Sequence, residues 1–393
     1  MFLGAVPRPI SAVFSAFSSA SLRLCGEESF SLRRGTAMRR SQTPALRPHL
    51  SKLAILALLP LIAFADDETC GACHQKEAAR FRPTPMAKAL EPASQAGILR
   101  DHPSLSFQDG AFQWRIVREG DRSVMTVTGK GATITAPLLW AFGRGQAGQT
   151  YVFERDGAFY ESRVSFYNAL NGLDFTMGAQ QSQPNNIEDA AGRKMDDIGA
   201  RDCFGCHSAG AVSAGRLHLE SIAPGVRCVS CHVSADQHAS AMRSGDLKAA
   251  KPEKLAGRGA EDMAELCGRC HRTWSQIASS GPRGVLNVRF QPYRLTNSKC
   301  FDTADARIAC TACHDPHGPL ETAAEAYDSK CAACHSAAQK AAAQKTAVHT
   351  KICRVAKAKC VTCHMPTYDL PGAHARFTDH QIRIVRPGEA YPN

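Results

Sequence analysis

Cys310-Thr-Ala-Cys313-His314-Asp-Pro-His317-Gly contains the pattern that decides the fold, two cysteines separated by two residues and followed directly by a histidine. The same C-x-x-C-H pattern occurs seven times in the 393 residues and uses most of the 17 cysteines. Chance would give far fewer than one copy in a chain of this composition. The seven copies are Cys70-Gly-Ala-Cys73-His74, Cys203-Phe-Gly-Cys206-His207, Cys228-Val-Ser-Cys231-His232, Cys267-Gly-Arg-Cys270-His271, Cys310-Thr-Ala-Cys313-His314, Cys331-Ala-Ala-Cys334-His335 and Cys360-Val-Thr-Cys363-His364.

Each copy has the arrangement that attaches a c-type haem. The two thiols add to the two vinyl groups on one edge of the porphyrin, and the histidine supplies the proximal nitrogen to the iron. Paired cysteines can also bind zinc, form disulfides or make a thioredoxin-like redox centre, but none of these needs a histidine after every pair. The sequence therefore predicts seven covalently bound haem c groups, with the seven motif histidines as proximal ligands.

The composition predicts an unusual core. Hydrophobic residues make up 44% of the chain and aromatic residues only 7%, which is little for a conventional interior of this size. Seven large macrocycles would fill the interior instead. We therefore predict a mainly α fold with extensive loops packed around covalently bound haems, and a small β-rich insert after the first haem motif.

The motifs divide the chain unevenly, with none between His74 and Cys203 and six between Cys203 and His364. Ala-rich pieces at 321–330 and 336–347 predict helices. In the haem-free stretch, strand-like segments separated by Gly, Asp and Asn lie at 104–108, 111–118, 123–128, 149–155 and 158–164. The predicted organisation is an N-terminal extension (1–37), a signal peptide (38–65), a first haem segment (66–101), a β-rich insert (102–178), a linker (179–201) and a hexahaem domain (202–393).

The N-terminal residues have the features of a secretion signal. Arg39-Arg40 precede an apolar run that ends in the A-x-A sequence Ala63-Phe64-Ala65 and is too short to span a bilayer. Because Met38 stands directly before the basic pair, we interpret residues 1–37 as a mis-assigned extension. A Sec-type signal predicts the bacterial periplasm, with the cell surface or the exterior as alternatives, and no transmembrane span in the mature chain. The formal charge of +11 would be offset by haem propionates, so we expect no nucleic-acid partner.

No local motif marks the second axial ligands as the C-x-x-C-H motif marks the proximal ones. A haem that transfers electrons normally has both axial positions filled, the distal one by His or Met. Besides the proximal histidines and one in the signal segment, seven histidines remain for seven haems. Met86 competes for the first haem, with a packed methionine as the alternative interpretation. The candidate distal ligands are Met86, His102, His218, His238, His317, His349, His374 and His380.

Two further cysteines, Cys300 and Cys353, follow the signal segment outside the motifs, and a disulfide between them is an open alternative. His317 is too close to His314 to reach the opposite face of the same haem. If it is a ligand, it would therefore bind a neighbouring haem.

The chain resembles the multihaem cytochromes c with doubled C-x-x-C-H motifs, relatives of the tetrahaem electron carriers of ammonia oxidisers, pentahaem nitrite reductase and octahaem hydroxylamine oxidoreductase. The resemblance runs from Cys70 to about Ile384 and is most specific in Cys310–Gly318 and Cys360–Pro366. It implies that His317 is a distal ligand. It also implies a ligand about a dozen residues after the first motif, often His, where this chain has Met86.

The resemblance to the enzymes is incomplete, because the chain has no C-x-x-C-K motif, and because seven motifs with Tyr368 do not match eight haems and a crosslinked tyrosine. We therefore expect electron transfer through closely spaced haems, with redox proteins as donor and acceptor and no catalytic residue. Assembly into a complex or self-association stays open. The alternative is a haem oxidoreductase that reduces a small nitrogen or sulfur oxyanion at one five-coordinate haem.

Overall fold

The structure is a computed structural model that describes residues 67–246, 248, 251–335, 353 and 355–392. The predicted extension and signal peptide, the candidate ligand His349 and the helix predicted at 336–347 lie outside these residues. Within the described part of the chain, no helix is long and apolar enough to cross a membrane.

An antiparallel sheet of nine strands follows the first motif. Its strands are β1 (Leu90–Pro92), β2 (Ser104–Asp109), β3 (Phe112–Glu119), β4 (Arg122–Gly129), β5 (Ala132–Phe142), β6 (Gln149–Arg155), β7 (Ala158–Tyr167), β8 (Gly172–Phe175) and β9 (Gly192–Lys194). Strands β2 to β8 pair in sequence order, while β1 pairs with β5 and β9 pairs with β7. Neighbours in the chain are therefore neighbours in the sheet, as in a run of hairpins.

Alternation of apolar and polar residues explains these strands. On β3, Phe112, Trp114 and Ile116 are buried while the residues between them are exposed, which is the pattern of a strand with one face on a core. Two-residue turns join several of the strands. Both residues of Lys130-Gly131 and of Asp156-Gly157 have positive φ, as type I′ hairpin turns require.

The first and last strands of the hairpin run approach one another. Phe107 of β2 and Phe175 of β8 make an edge-to-face contact with 5.1 Å between ring centroids. The sheet thus wraps around its own hydrophobic core, in which Trp114 and Phe153 are fully buried. The Trp114 Nε1 donates a 2.7 Å hydrogen bond to the Ala190 carbonyl, which ties the segment after β8 to the sheet.

The prediction of a mainly α fold with a small β-rich insert is wrong, because this extensive sheet is a principal part of the molecule. All five expected strand segments are present, but β1, β5, β8 and β9 were missed. Pro137 interrupts the strand signal of β5, since proline is depleted in strands, and a register shift follows between Leu138 and Trp140. The few aromatic residues are concentrated in this stretch, where they build a conventional core.

The described helices are short. They are α1 (Asp67–Gly71), α2 (Gln75–Phe81), α3 (Gly97–Asp101), α4 (Ile187–Ala191), α5 (Asp197–His207), α6 (Cys228–Cys231), α7 (Ala235–Arg243), α8 (Ala260–His271), α9 (Trp274–Ser280), α10 (Gln291–Thr296), α11 (Cys310–Cys313), α12 (Asp328–His335) and α13 (Cys360–His364). The helix expected at 321–330 is shifted, because a 3₁₀ turn at Ala324–Tyr327 leads into α12. Residues 179–201 contain α4, β9 and the start of α5.

Three two-stranded ribbons lie among the motif helices. β10 (Ser208–Ala209) pairs with β13 (Ala223–Pro224), β11 (Val212–Ser213) pairs with β12 (Arg216–Leu217), and β14 (Thr367–Leu370) pairs with β15 (Ala375–Thr378). Each is antiparallel. The last ribbon follows α13 directly and leads the chain to His380.

Candidate haem-binding sites

Each of the seven motifs begins on a helix that ends inside the motif or at its histidine. In the motifs where the helix ends before the histidine, the turn is still completed, because His74, His232 and His314 donate their backbone N–H to the carbonyl of the first cysteine at 2.9 Å. Residues three apart on a helix share a face, so the two cysteines of a motif lie on the same side. This is the local geometry that attachment along one edge of a macrocycle needs.

The motifs surround one cavity of about 3960 Å³. This volume is several times the ~300–1,000 Å³ of a usual small-molecule pocket. The cysteines and histidines of the first six motifs line it, and the seventh contributes Val361 and Thr362. Helices α1, α6, α11, α12 and α13 bury none of their own residues. A large space lined in part by helices that bury none of their own residues fits several covalently attached macrocycles.

Three motif histidines face a histidine from outside the motifs across this cavity. A metal between two imidazoles, with bonds of ~2.0 Å and half a ring on each side, separates the ring centroids by ~6 Å. The observed separations have this value, so each pair fits ligation of one iron from opposite sides. The pairs are His74 with His238 at 6.5 Å, His232 with His317 at 6.0 Å and His314 with His380 at 6.1 Å.

Backbone carbonyls orient several of these rings. The Nδ1 of His207 is 2.9 Å from the Ala89 carbonyl, and the Nδ1 of His364 is 2.8 Å from the Arg383 carbonyl. His380 makes the same contact with the Thr378 carbonyl at 3.0 Å. A carbonyl can only accept, so Nδ1 carries the proton and Nε2 is left free to bind a metal, as is usual for ligating histidines.

Burial also favours the neutral imidazole that binds metal. It lowers the pKa of His207, His271 and His314 below the ordinary value. Burial lowers the pKa of His380 to about 4, against a smaller opposing effect of its bond to the Thr378 carbonyl. These four rings are therefore uncharged at neutral pH and have a lone pair available.

Three other candidate distal ligands are not brought to the cavity. His102 packs on Phe166 of the sheet, His218 contacts the Glu220 carboxylate at 3.2 Å, and the His374 Nε2 contacts Asp174 at 2.7 Å. None of the three lines the cavity among the described residues. The fold gives these three side chains other partners, and their role as distal ligands stays a prediction.

Met86 does line the cavity, and its carbonyl accepts a 3.0 Å hydrogen bond from Val226 N, just before the third motif. It therefore lies beside the segment that joins the second and third motifs. Cys300 and Cys353 are both free thiols, so the disulfide considered for them is not formed.

A buried ionic network near the C-terminus was not expected from the sequence. Arg294 donates to both carboxylate oxygens of Asp379 at 2.8 and 3.0 Å, and both side chains are fully buried. Arg383 donates to the same carboxylate at 2.6 Å. Asp379 directly precedes His380, and the Arg383 carbonyl accepts from His364, so this network holds one facing histidine and orients a motif histidine. Nothing in the sequence around Arg294 on α10 indicated this network.

Residues 166–233 match the family described as cytochrome c554 and c-prime. This range begins near the end of β7 and includes the second and third motifs. No curated protein and no solved structure matches the chain. The family match supports a c-type cytochrome, a class that carries covalently bound haem c and takes part in electron transfer.

Proposed function

We propose that this chain is a periplasmic heptahaem cytochrome c that transfers electrons between redox partners. The observation that carries the proposal is the set of three histidine pairs at metal-sharing distance in a cavity lined by C-x-x-C-H motifs. An iron with both axial positions filled is closed to small substrates, which suits a carrier. The family match supports the class of protein, and the number of haems rests on the seven motifs.

Bound haem iron supplies reversible one-electron redox chemistry. The cysteine pairs of the seven motifs would hold the macrocycles, and the motif histidines would be the proximal ligands. His238, His317 and His380 would be the distal ligands of the first, third and fifth haems. Met86, which lines the cavity, and His349 stay candidates for the remaining positions.

The route into the periplasm would be the Sec-type signal at 38–65, and the cell surface is the alternative destination. The partners would be an electron donor and an electron acceptor. Contacts between redox proteins are usually small and transient, so neither partner needs an extensive apolar surface on this chain.

A second candidate function is reduction of a small nitrogen or sulfur oxyanion at an open iron. It is favoured by four motif histidines that no other histidine ring faces within the described residues. They are His207, His271, His335 and His364.

The test is electron paramagnetic resonance of the oxidised holoprotein, with haem counted per chain by mass. Seven haems that are all low-spin support the carrier, because every iron is then six-coordinate. A high-spin ferric signal of one haem per chain would instead support the enzyme, and nitrite, hydroxylamine and sulfite would be the substrates to assay.

Matched histidine variants sharpen this test. His238→Ala should convert one haem from low-spin to high-spin, because its ring faces His74. His218→Ala removes a histidine that lies outside the cavity and should leave the spectrum unchanged. Equal spectra for the two variants would contradict the assignment of His238.

A further inference from the structure

Two aspartates stand at the same position in front of a haem motif. Asp67 lies three residues before Cys70, and Asp328 lies three residues before Cys331. The other five motifs have Ala, Gly, Ala, Arg and Lys at this position. Each aspartate accepts hydrogen bonds from the start of a different motif.

Asp67 reaches the third motif. Its Oδ1 accepts a 3.1 Å hydrogen bond from the backbone N of Cys228, and its Oδ2 accepts a 2.9 Å bond from the Arg227 guanidinium. The Asp67 side chain is only 12% exposed. The carboxylate at the start of α1 therefore caps the helix that carries another motif.

Asp328 reaches the seventh motif in the same way. Its Oδ1 accepts a 2.9 Å hydrogen bond from the backbone N of Cys360, and its Oδ2 accepts a 2.7 Å bond from the backbone N of Lys359. The Lys359 ammonium pairs with Glu325 at 2.8 Å, beside the same aspartate. One carboxylate thus again joins the starts of two motif-bearing helices.

The thiols of the joined motifs touch. The side chains of Cys70 and Cys228 are within hydrogen-bond distance of one another, and those of Cys331 and Cys360 are as well. In both cases the first cysteine of one motif meets the first cysteine of the other. When each thiol adds across a vinyl group its hydrogen goes to the vinyl carbon, so the S–H contact is lost and the aspartate bridge is the polar link that persists.

We propose that Asp67 and Asp328 are positioning residues that dock haem motifs in pairs, the first with the third and the sixth with the seventh. The inference rests on the proposed function, because it concerns groups that the motifs would carry. It means that neighbours along the electron path are set by these carboxylates and do not follow sequence order, since the second motif is left out of the first pair.

Thiols also meet between other motifs, Cys206 with Cys270 and Cys267 with Cys310, so what distinguishes the two docked pairs is the aspartate and not the thiol contact. The Cys206 thiol of the second motif contacts the Arg269 carbonyl of the fourth at 3.6 Å, and Arg272 pairs with Asp202 at 3.0 Å. The Cys310 thiol of the fifth lies 4.0 Å from the Met263 carbonyl of α8, which carries the fourth motif. These contacts leave the aspartate bridge specific to the two docked pairs among the described residues.

The experiment is a potentiometric titration of the holoprotein followed by haem absorbance, with covalent haem counted by mass. Haems held close together influence each other's potentials through their charges, most strongly where water is excluded. Asp67→Ala should therefore shift the midpoint potentials of two of the seven haem components and leave the other five unchanged. Asp328→Ala should shift a different two. Asp67→Asn keeps an oxygen that can accept from the Cys228 amide, and it should restore most of the wild-type titration.

Asp196→Ala is the matched control, since Asp196 caps the helix of its own motif through Gly199 N and reaches no other motif. It should lower Tm and leave the potentials unchanged. Docking is overturned if the three Ala variants behave alike, or if Asp67→Ala and Asp328→Ala shift the same components. If Asp67→Ala does not yield protein with bound haem, Asp67→Asn and Asp328→Ala still test the docking proposal. Wild-type protein without covalent haem would instead overturn the proposed function and docking with it.

Discussion

The sheet and the motif-bearing helices make an interior in opposite ways. Strands β2 to β5 bury alternate side chains and β6 and β7 bury continuous runs, with Trp114 and Phe153 fully enclosed. Helices α6, α11 and α12 bury none, and they line a cavity of about 3960 Å³. The sheet has a large core of its own, while these short motif helices would pack against bound groups instead. A chain with a low overall aromatic content can therefore still have a conventional core in one region.

The largest effect should come from preventing haem attachment. Replacing all motif cysteines by serine leaves the cavity without the groups that would fill it, so the motif-bearing helices should lose their fixed structure. The sheet should stay folded, because its core is made of its own side chains. Hydrogen exchange measures both parts in one sample. Equal loss of protection from hydrogen exchange in β3 and α11 would show that the sheet also depends on haem.

The next effect tests the buried ionic network of the motif-bearing part. Asp379→Asn leaves Arg294 as a buried charge with a weakened partner, and loss of such a pair costs ~3–5 kcal/mol in the free energy of unfolding. Urea unfolding measures this cost. If His380 ligates a haem as we propose, the low-spin signal of that haem should also change.

The matched control for this network is Asp369→Asn, whose pair with Arg376 is exposed. It should change stability by no more than about 0.5 kcal/mol. If both variants lose the same amount, the buried network does not stabilise this part of the chain.

A substitution in the sheet should act there alone. Trp114→Ala removes a fully buried side chain and its bond to the Ala190 carbonyl, at a cost of ~3–5 kcal/mol. The haem spectrum should not change. Trp274→Ala is the control, because Trp274 is 49% exposed. A haem signal altered by Trp114→Ala would show that the two regions are coupled.

The smallest effect concerns pH. Burial alone would raise the pKa of Asp67, but hydrogen bonds from Cys228 and Arg227 outweigh it and hold this pKa below the usual 3.8. The carboxylate therefore stabilises the fold above about pH 4, and the contribution is lost as the pH falls through the lowered pKa.

Asp67→Asn should cost at most about 1 kcal/mol at neutral pH, as for other partly exposed ion pairs. The difference from wild type should shrink as the pH falls through the lowered pKa of Asp67, because the charge is then lost. Thermal unfolding at neutral and at acidic pH measures it. A difference that persists in acid would mean that the charge is not what matters.

Sequence reasoning succeeded where the pattern is local. The five expected strands are present because strand-forming segments are separated by Gly, Asp and Asn, and Asp156-Gly157 marks one of their turns. It failed for β5, where Pro137 breaks the pattern and only the neighbouring strands keep the chain extended. It also underestimated the sheet, because composition averages over the chain and does not show where aromatic residues gather.

The sequence by itself determined the attachment chemistry, because each C-x-x-C-H motif acts within about one helical turn and needs no distant residue. The tertiary structure decided which histidine faces which motif. The run around His317 already pointed to this residue, but only the folded chain brings His238, His317 and His380 across the cavity while His102 packs on the sheet. The physical reason is that a distal ligand must approach from the opposite side, so its position depends on contacts between remote segments.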